Sequence, residues 1–176
     1  MPADKDQLTQ WLHEIKQSRE AFAALYAEMS RPMYTVACRI LHNRADAEDA
    51  VQEAFMKLLR RECTDDIENG RAYLLQTVRN EALMILRKRS HEELHEDVAA
   101  EEQDRPDNFA WDNEMMITEA VEHLKPEERD IFTLHVNGDL TFEEIAKIMD
   151  MSLPAVYRKY RKALDRLRKM MNGGNI

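Results

Sequence analysis

Apolar positions in this chain recur every three to four residues almost throughout, and nowhere in a sustained alternation. After Ser18, a plausible N-cap, they fall at Phe22, Leu25, Tyr26 and Met29. They resume at Val36, Ile40 and Leu41, and Pro32 between the two groups predicts a break. Residues 46–61 carry a clean stripe of Ala47, Val51, Ala54, Phe55, Leu58 and Leu59. The outer face of that helix holds Glu48, Asp49, Gln52, Glu53, Lys57 and Arg60. The string ECTDDIENG has no period and predicts a loop. A further helix, 71–89, should bury Leu74, Val78, Ala82, Ile85 and Leu86 and expose Arg71, Arg79, Asn80, Arg87, Lys88 and Arg89.

The same period returns near the C-terminus. Residues 111–124 predict a helix closed by Pro126, and 127–136 another, stopped by Asn137-Gly138. Thr141 caps a short helix and Glu144, three residues on, completes a capping box. The core face of that helix is Ile145, Ala146, Ile148 and Met149. Ser152 begins a last helix, with Leu153, Val156, Tyr157, Tyr160, Leu164, Leu167 and Met170 expected inward. Ala146 is small enough for a close crossing, and the Asp150-Met151 connection is short enough for a steep one. Together, 141–171 predict a helix-turn-helix that enters the major groove of double-stranded DNA.

Composition agrees with an all-α chain: Gly 4 and Pro 5 in 176 residues, with 44% hydrophobic residues to fill a core. Charge changes the picture more. The net charge of −9 lies entirely between Glu92 and Glu114, where ten acids meet one cation, Arg105. This segment contains Pro106 and lacks an apolar period, so it predicts an acidic flexible linker. The expected organisation is a helical domain at 1–90, the linker at 91–110 and a second helical domain at 111–176. The flanks are neutral overall and can carry local basic faces. The last helix does so with Arg158, Lys159, Arg161, Lys162, Arg166, Arg168 and Lys169 against Asp165 alone.

Catalytic chemistry has no foothold here. The chain shows no phosphate-cradling glycine loop, zinc spacing or nucleophile motif, so neither an enzyme nor a cofactor is expected. His91 and His95 are four apart, but they lack cysteine partners and predict no metal site. Cys38 and Cys63 fit a reducing compartment as a packed thiol and a loop thiol, with a redox role left open. No run approaches a membrane span and the start is unlike a signal peptide, which together predict a cytoplasmic location.

Three strings carry a family resemblance. DAEDAVQEAFMKLLRR and AYLLQTVRNEALMILRKR resemble region 2 of bacterial sigma factors. LKPEERDIFTLHVNGDLTFEEIAKIMDMSLPAVYRKYRKALDRLR resembles region 4. In this order and spacing the chain resembles the group IV, or extracytoplasmic-function, sigma factors of the sigma-70 family. The resemblance implies a factor that directs promoter-specific initiation, often in response to stress or an envelope signal. It implies docking on core RNA polymerase, through the β′ clamp helices and the β flap, with Asp49, Gln52 and Glu53 as clamp contacts. It implies minus-ten recognition by the 61–70 loop with Arg71, Arg79, Asn80 and Arg87. It implies minus-thirty-five recognition by Ser152, Ala155, Arg158, Lys159 and Lys162. An anti-sigma factor is the further partner it implies.

The chain departs from the family at Asp150, where glycine is common in the turn. It departs again at Pro154-Ala155 and at Tyr157, which stands for a common lysine. Aromatic residues are scarce around the melting loop. Two alternatives stay open. An operator-binding regulator would use the same helix-turn-helix without polymerase, but it leaves DAEDAVQEAF unexplained. The acidic linker either imitates nucleic acid in the polymerase cleft or is a solvating tether.

Overall fold

A computed structural model describes residues 4–93 and 115–172. The described residues form eight α-helices and no strand. The chain divides into two compact units, within 1–103 and within 104–176. Most of the expected acidic linker, and His95, lie outside the described residues.

The N-terminal unit begins with a helix that the hydrophobic reading passed over, α1 (Lys5–Glu14). Asp4 caps it by accepting from the Lys5 N–H at 2.7 Å, and Leu8 and Leu12 are fully buried, with Ile15 just beyond. Helix α2 (Arg19–Leu41) starts as expected, with Ser18 Oγ accepting from the Ala21 N–H at 3.1 Å. It does not break at Pro32, and the expected two helices are one. Proline removes one intrahelical bond and crowds the preceding turn, at a cost of about 3 kcal/mol. Met29, Met33, Val36 and Ala37, buried on both sides of it, outweigh that cost at about 1.5–3 kcal/mol for each large side chain. His42, in the left-handed region at φ 51°, ends α2, and Asn43 at once caps α3 (Arg44–Arg60). Helix α4 (Gly70–Glu93) is capped by Asn69, whose Oδ1 accepts from the Ala72 N–H at 2.9 Å.

Helices α2, α3 and α4 pack mutually, with α1 against α2 and α4. Their core holds Leu25, Met29, Met33, Leu41, Leu58, Leu74 and Leu75. Two expected core residues, Leu59 and Leu86, are instead exposed at 36% and 39%. Ion pairs cross the helix contacts: Glu81, buried, with Lys57; Asp46 with Arg89; and Arg71 with Glu28 at 3.5 Å.

The C-terminal unit holds α5 (Met115–Glu122), α6 (Pro126–Val136), α7 (Phe142–Met149) and α8 (Leu153–Met171). Pro126 opens α6 at a position where its missing N–H costs nothing. Helix α8 packs on each of the other three, and α6 also on α7. Ala120, Val121, Leu124, Phe132, Ala163 and Leu167 form one core cluster, with Tyr160 and Met170 against it.

Candidate functional site

Helix α7 owes its position to its two ends. At the start the capping box is complete: Glu144 N–H donates to Thr141 Oγ1 at 3.3 Å, and Thr141 N–H to Glu144 Oε2 at 2.7 Å. At the end Asp150 adopts the left-handed conformation, φ 51° and ψ 49°, where the family often has glycine. Aspartate is among the few residues that enter this region at modest cost. The turn then delivers Ser152, the N-cap of α8, although its side chain makes no capping hydrogen bond.

His135, Phe142, Tyr157 and Tyr160 bring rings of α6, α7 and α8 together. His135 stacks on Phe142 at 4.5 Å between ring centroids and meets Tyr160 edge-on at 5.0 Å. Its Nδ1 donates to the Leu140 carbonyl at 2.8 Å, which ties α6 to the segment leading into α7.

The cations of α8 separate into two groups. Arg158, Arg161, Lys162, Arg168 and Lys169 are exposed, on faces away from the buried Val156, Ala163 and Leu167. Lys159 and Arg166 turn toward α6. Lys159 pairs with Glu127, and Arg166 donates to the buried Glu128 at 2.5 Å. Arg166 therefore holds the unit together. Three residues expected inward lie outside instead: Leu153, Tyr157 and Leu164, exposed by 41%, 49% and 36%. With Met171 they make a third, apolar stripe along α8. Their spacing fits the core period, but the core side of α8 is filled by smaller and more central residues. Of the expected contacts, Ser152 is exposed and Ala155 is half-buried beside it.

In the N-terminal unit, the solvent side of α3 presents Asp49 and Gln52 exposed, with Glu53 half-buried and bonded to Arg60 at 2.9 Å. Among them lies Met56, 43% exposed, which the sequence reading left unassigned. The available signal was its place off the buried stripe, one residue past Phe55. Leu59 extends the same apolar strip, and Tyr26, 45% exposed, lies 5.0 Å from the Phe55 ring across the α2 contact.

On α4, Asn80 and Arg87 are exposed seven residues apart, hence on one face, with Arg79 half-buried to one side. Arg71 does not join them. It is only 5% exposed and pairs with Glu28 on α2, so the expectation that it contacts DNA is corrected. The first turn of α4 points into the unit, which the charge of Arg71 alone does not disclose. Tyr73, half-buried on the same face as Asn80, is the aromatic residue that the reading of the loop missed.

Some of the order of the loop 61–69 comes from Arg61. Arg61 Nε donates to the Cys63 carbonyl at 2.7 Å, its guanidinium reaches Asp66 at 2.5 Å, and it lies 5.5 Å from the Tyr73 ring centroid. Desolvation works against the Arg61 charge, but Asp66 and Tyr73 outweigh it and raise its pKa. Thr64 and Ile67 are buried, whereas Glu62, Cys63, Asp65, Asp66 and Glu68 are exposed. On α2, burial pushes the Tyr34 phenol up, helped by its hydrogen bond with Cys38 and opposed by Arg44. Among the described residues no group of His, Cys, Asp and Glu is arranged to hold a metal, and no helix is long and apolar enough to cross a membrane.

Comparison with known proteins accounts for both units. Residues 25–92 match the family model of sigma-70 region 2, and residues 114–167 that of sigma-70 region 4. The ECF RNA polymerase sigma factor SigK of Mycobacterium ulcerans (strain Agy99) is 24% identical, over 97% of each chain. The RNA polymerase sigma factor CarQ of Myxococcus xanthus is also 24% identical, over 88% of this chain and 91% of that one. Among solved structures, the sigma factor RpoE of Bartonella quintana, crystallised with the anti-sigma factor NepR, superposes with a TM-score of 0.70 at 21% identity. That likeness covers 87% of this chain and 98% of RpoE. CnrH, solved in complex with the cytosolic domain of CnrY, gives 0.65 at 18% identity over 98% and 100% of the two chains. With region 2 and region 4 matched in order across most of its length, the chain belongs to the sigma-70 family, in its extracytoplasmic-function form.

Proposed function

We propose that this sigma factor docks on core RNA polymerase through the outer side of α3 and reads its promoter with two separate surfaces. Asp49, Gln52 and Glu53 meet the β′ clamp helices, and Met56 supplies an apolar centre among them. Such a patch, apolar in the middle and polar at the rim, is the ordinary anatomy of a protein contact. The minus-ten element is opened and read by the 61–69 loop with Arg79, Asn80 and Arg87. An amide can bond a base edge in two places, while cations hold the displaced phosphates. Tyr73 adds an aromatic ring near that path.

The minus-thirty-five element is read as duplex by the start of α8. Ser152, Ala155, Arg158 and Lys162 address the groove and its phosphates, and Lys159 joins them by exchanging Glu127 for a phosphate. Leu153 and Tyr157, on the outside, offer apolar surface to thymine methyl groups. The C-terminal unit also meets the β flap. The acidic segment 91–110 occupies the nucleic-acid path of the polymerase, a reading that rests on sequence charge alone. The division into 1–90, 91–110 and 111–176 follows the same logic.

The protein works by binding rather than by catalysis, in the cytoplasm, and is held inactive by an anti-sigma factor that covers its polymerase-binding surfaces. RpoE and CnrH were each solved with a second protein, NepR an anti-sigma factor by name, which supports this last point.

The observation that carries the reading is the presence in one chain of an outward α3 face dressed for protein contact and a cationic helix-turn-helix. Run-off transcription with core polymerase, on the promoter of the gene's own operon, tests it. Specific transcripts should need both the protein and core enzyme. Operator binding without co-purification of core polymerase would establish the regulator alternative instead.

A further inference from the structure

Helix α1 has no part in the function described so far, yet one of its faces is directed at the loop 61–69 and the start of α4. Thr9 and His13, four residues apart, share one face of α1, and Lys16 lies in the turn just after it. Each reaches a backbone group. Thr9 Oγ1 accepts from the Gly70 N–H at 3.0 Å. His13 Nε2 donates to the Ile67 carbonyl at 2.9 Å. Lys16 Nζ donates to the Glu62 carbonyl at 3.1 Å. The contact between α1 and the loop's end is close: a Cβ at Gly70 would lie 3.2 Å from Thr9 Cα and 3.3 Å from the Leu8 carbonyl oxygen. Glycine is needed there for approach, not for backbone conformation.

These bonds fix the course of the loop without engaging its side chains. Thr64 and Ile67 turn inward, and the Ile67 N–H closes the turn on the Thr64 carbonyl at 3.0 Å. Glu62, Cys63, Asp65, Asp66 and Glu68 are exposed, while Arg61 and Asn69 are half-buried. A loop that must take an unstacked base faces an entropic cost if it orders only on binding. Three anchors, near its start, at its inward corner and at its end, remove much of that cost beforehand. Backbone anchors also leave the loop side chains free to differ without loss of the anchoring.

We propose that α1 and the turn after it form a positioning strap for minus-ten selectivity, with Thr9, His13 and Lys16 as positioning residues that present the 61–69 loop to an unstacked base. The proposal rests on the reading of this loop as a minus-ten element, and the test separates the two.

The full chain with core polymerase is assayed on two promoter libraries, one randomised at the minus-ten element and one at the minus-thirty-five element, with the transcripts sequenced. His13→Phe keeps the ring but removes the donor, and Thr9→Val keeps the shape but removes the acceptor. Each should flatten the minus-ten preference by about fivefold, the scale of one lost hydrogen bond. The minus-thirty-five preference and core affinity should stay unchanged. His13→Gln, which places a donor near the position of Nε2, should restore the preference.

An equal fall in core affinity and in both preferences would show that α1 merely stabilises the unit, and would overturn the proposal. Asp65→Ala with Glu68→Ala serves as the loop control. If these change the minus-ten preference and His13→Phe does not, the strap alone is wrong. If neither changes it, the loop reading fails and the strap with it.

Discussion

The two units use their charges in opposite ways. In the N-terminal unit several cations are committed inward: Arg71 to Glu28, Lys57 to Glu81 and Arg89 to Asp46. The surfaces left for work there are mixed, with Asp49, Gln52 and Met56 on α3 and Asn80 and Arg87 on α4. In the C-terminal unit α8 commits Lys159 and Arg166 to the glutamates of α6 and exposes Arg158, Arg161, Lys162, Arg168 and Lys169. The difference suits the targets proposed for the two units. A duplex is met first as a line of phosphates, whose neutralisation releases counterions and makes affinity steeply salt-dependent. A polymerase helix pair and an unstacked base are met through shape, apolar contact and hydrogen bonds, which salt affects far less.

The largest expected effect tests whether the inward cations are structural. Arg71→Ala removes a buried cation, leaves Glu28 without this partner and opens space between α2 and α4. It should destabilise the N-terminal unit by about 3 kcal/mol. Thermal or urea unfolding followed by circular dichroism measures this. A fully stable variant that no longer opens promoters would return Arg71 to the DNA-contacting set and blur the contrast between the units.

Next comes the reading end of α8. Arg158→Ala should cost about 1–3 kcal/mol on the preferred minus-thirty-five duplex and much less on a scrambled one. Lys169→Ala, further along the helix, should weaken both alike. Titrations of the full chain at several salt concentrations separate the two variants. Equal losses on both duplexes for Arg158→Ala would assign it to phosphates, leaving selectivity to Ser152, Ala155, Lys162 or the outward Leu153 and Tyr157.

A smaller effect is expected at the α3 face. Asp49→Lys together with Met56→Ser should weaken core polymerase binding by about 1–2 kcal/mol, the range of contacts near an interface centre, with helicity unchanged. The loss should persist in high salt if Met56 contributes as proposed. Unchanged affinity in a pull-down would move the docking surface elsewhere in the chain.

The finest test converts one unit's habit into the other's. Glu128→Gln weakens the inward hold on Arg166 while keeping the shape of the site. Stability should fall by about 1 kcal/mol, since Arg166 is partly solvated and can turn outward. Duplex affinity should then become slightly more salt-dependent, by up to about 0.9 in the log–log slope for one added phosphate contact. An unchanged slope would show that the position of Arg166, and not its pairing, keeps it from DNA.

Periodicity sufficed where one face of a helix meets one core. The buried run Ala47, Val51, Ala54, Phe55 and Leu58, the capping box at Thr141 and the helix-turn-helix were all legible for that reason. It failed where a helix has neighbours on several sides or too few. Helix α8 shows the second case: Leu153, Tyr157 and Leu164 keep the apolar spacing, but three short partner helices cover them only in part, Tyr157 through an edge contact with Phe142. Pro32 shows a different limit, since a local penalty says nothing of the packing that outweighs it. Helix α1 carries Leu8, Leu12 and Ile15 in good register behind Asp4, a signal present in the sequence but only three apolar residues long. At the candidate site, residue type located Asn80, Arg87 and Arg158 on exposed faces. Type could not separate them from Arg71 and Arg166, because partners such as Glu28 and Glu128 are distant in sequence.

Helix α8 is also a lever. Its 19 residues make a rod of about 28 Å, far longer than the stretch that a groove can hold. The middle of the rod is clamped at Ala163, which is fully buried, while Ser152 stands about 16 Å away at the reading end. A tilt of ten degrees about that clamp would move the tip by about 3 Å, close to the spacing of successive base pairs. Enlarging Ala163 to valine in so tight a site would therefore alter aim rather than contact. Substitutions that touch no DNA can in this way shift which base pairs the helix reads.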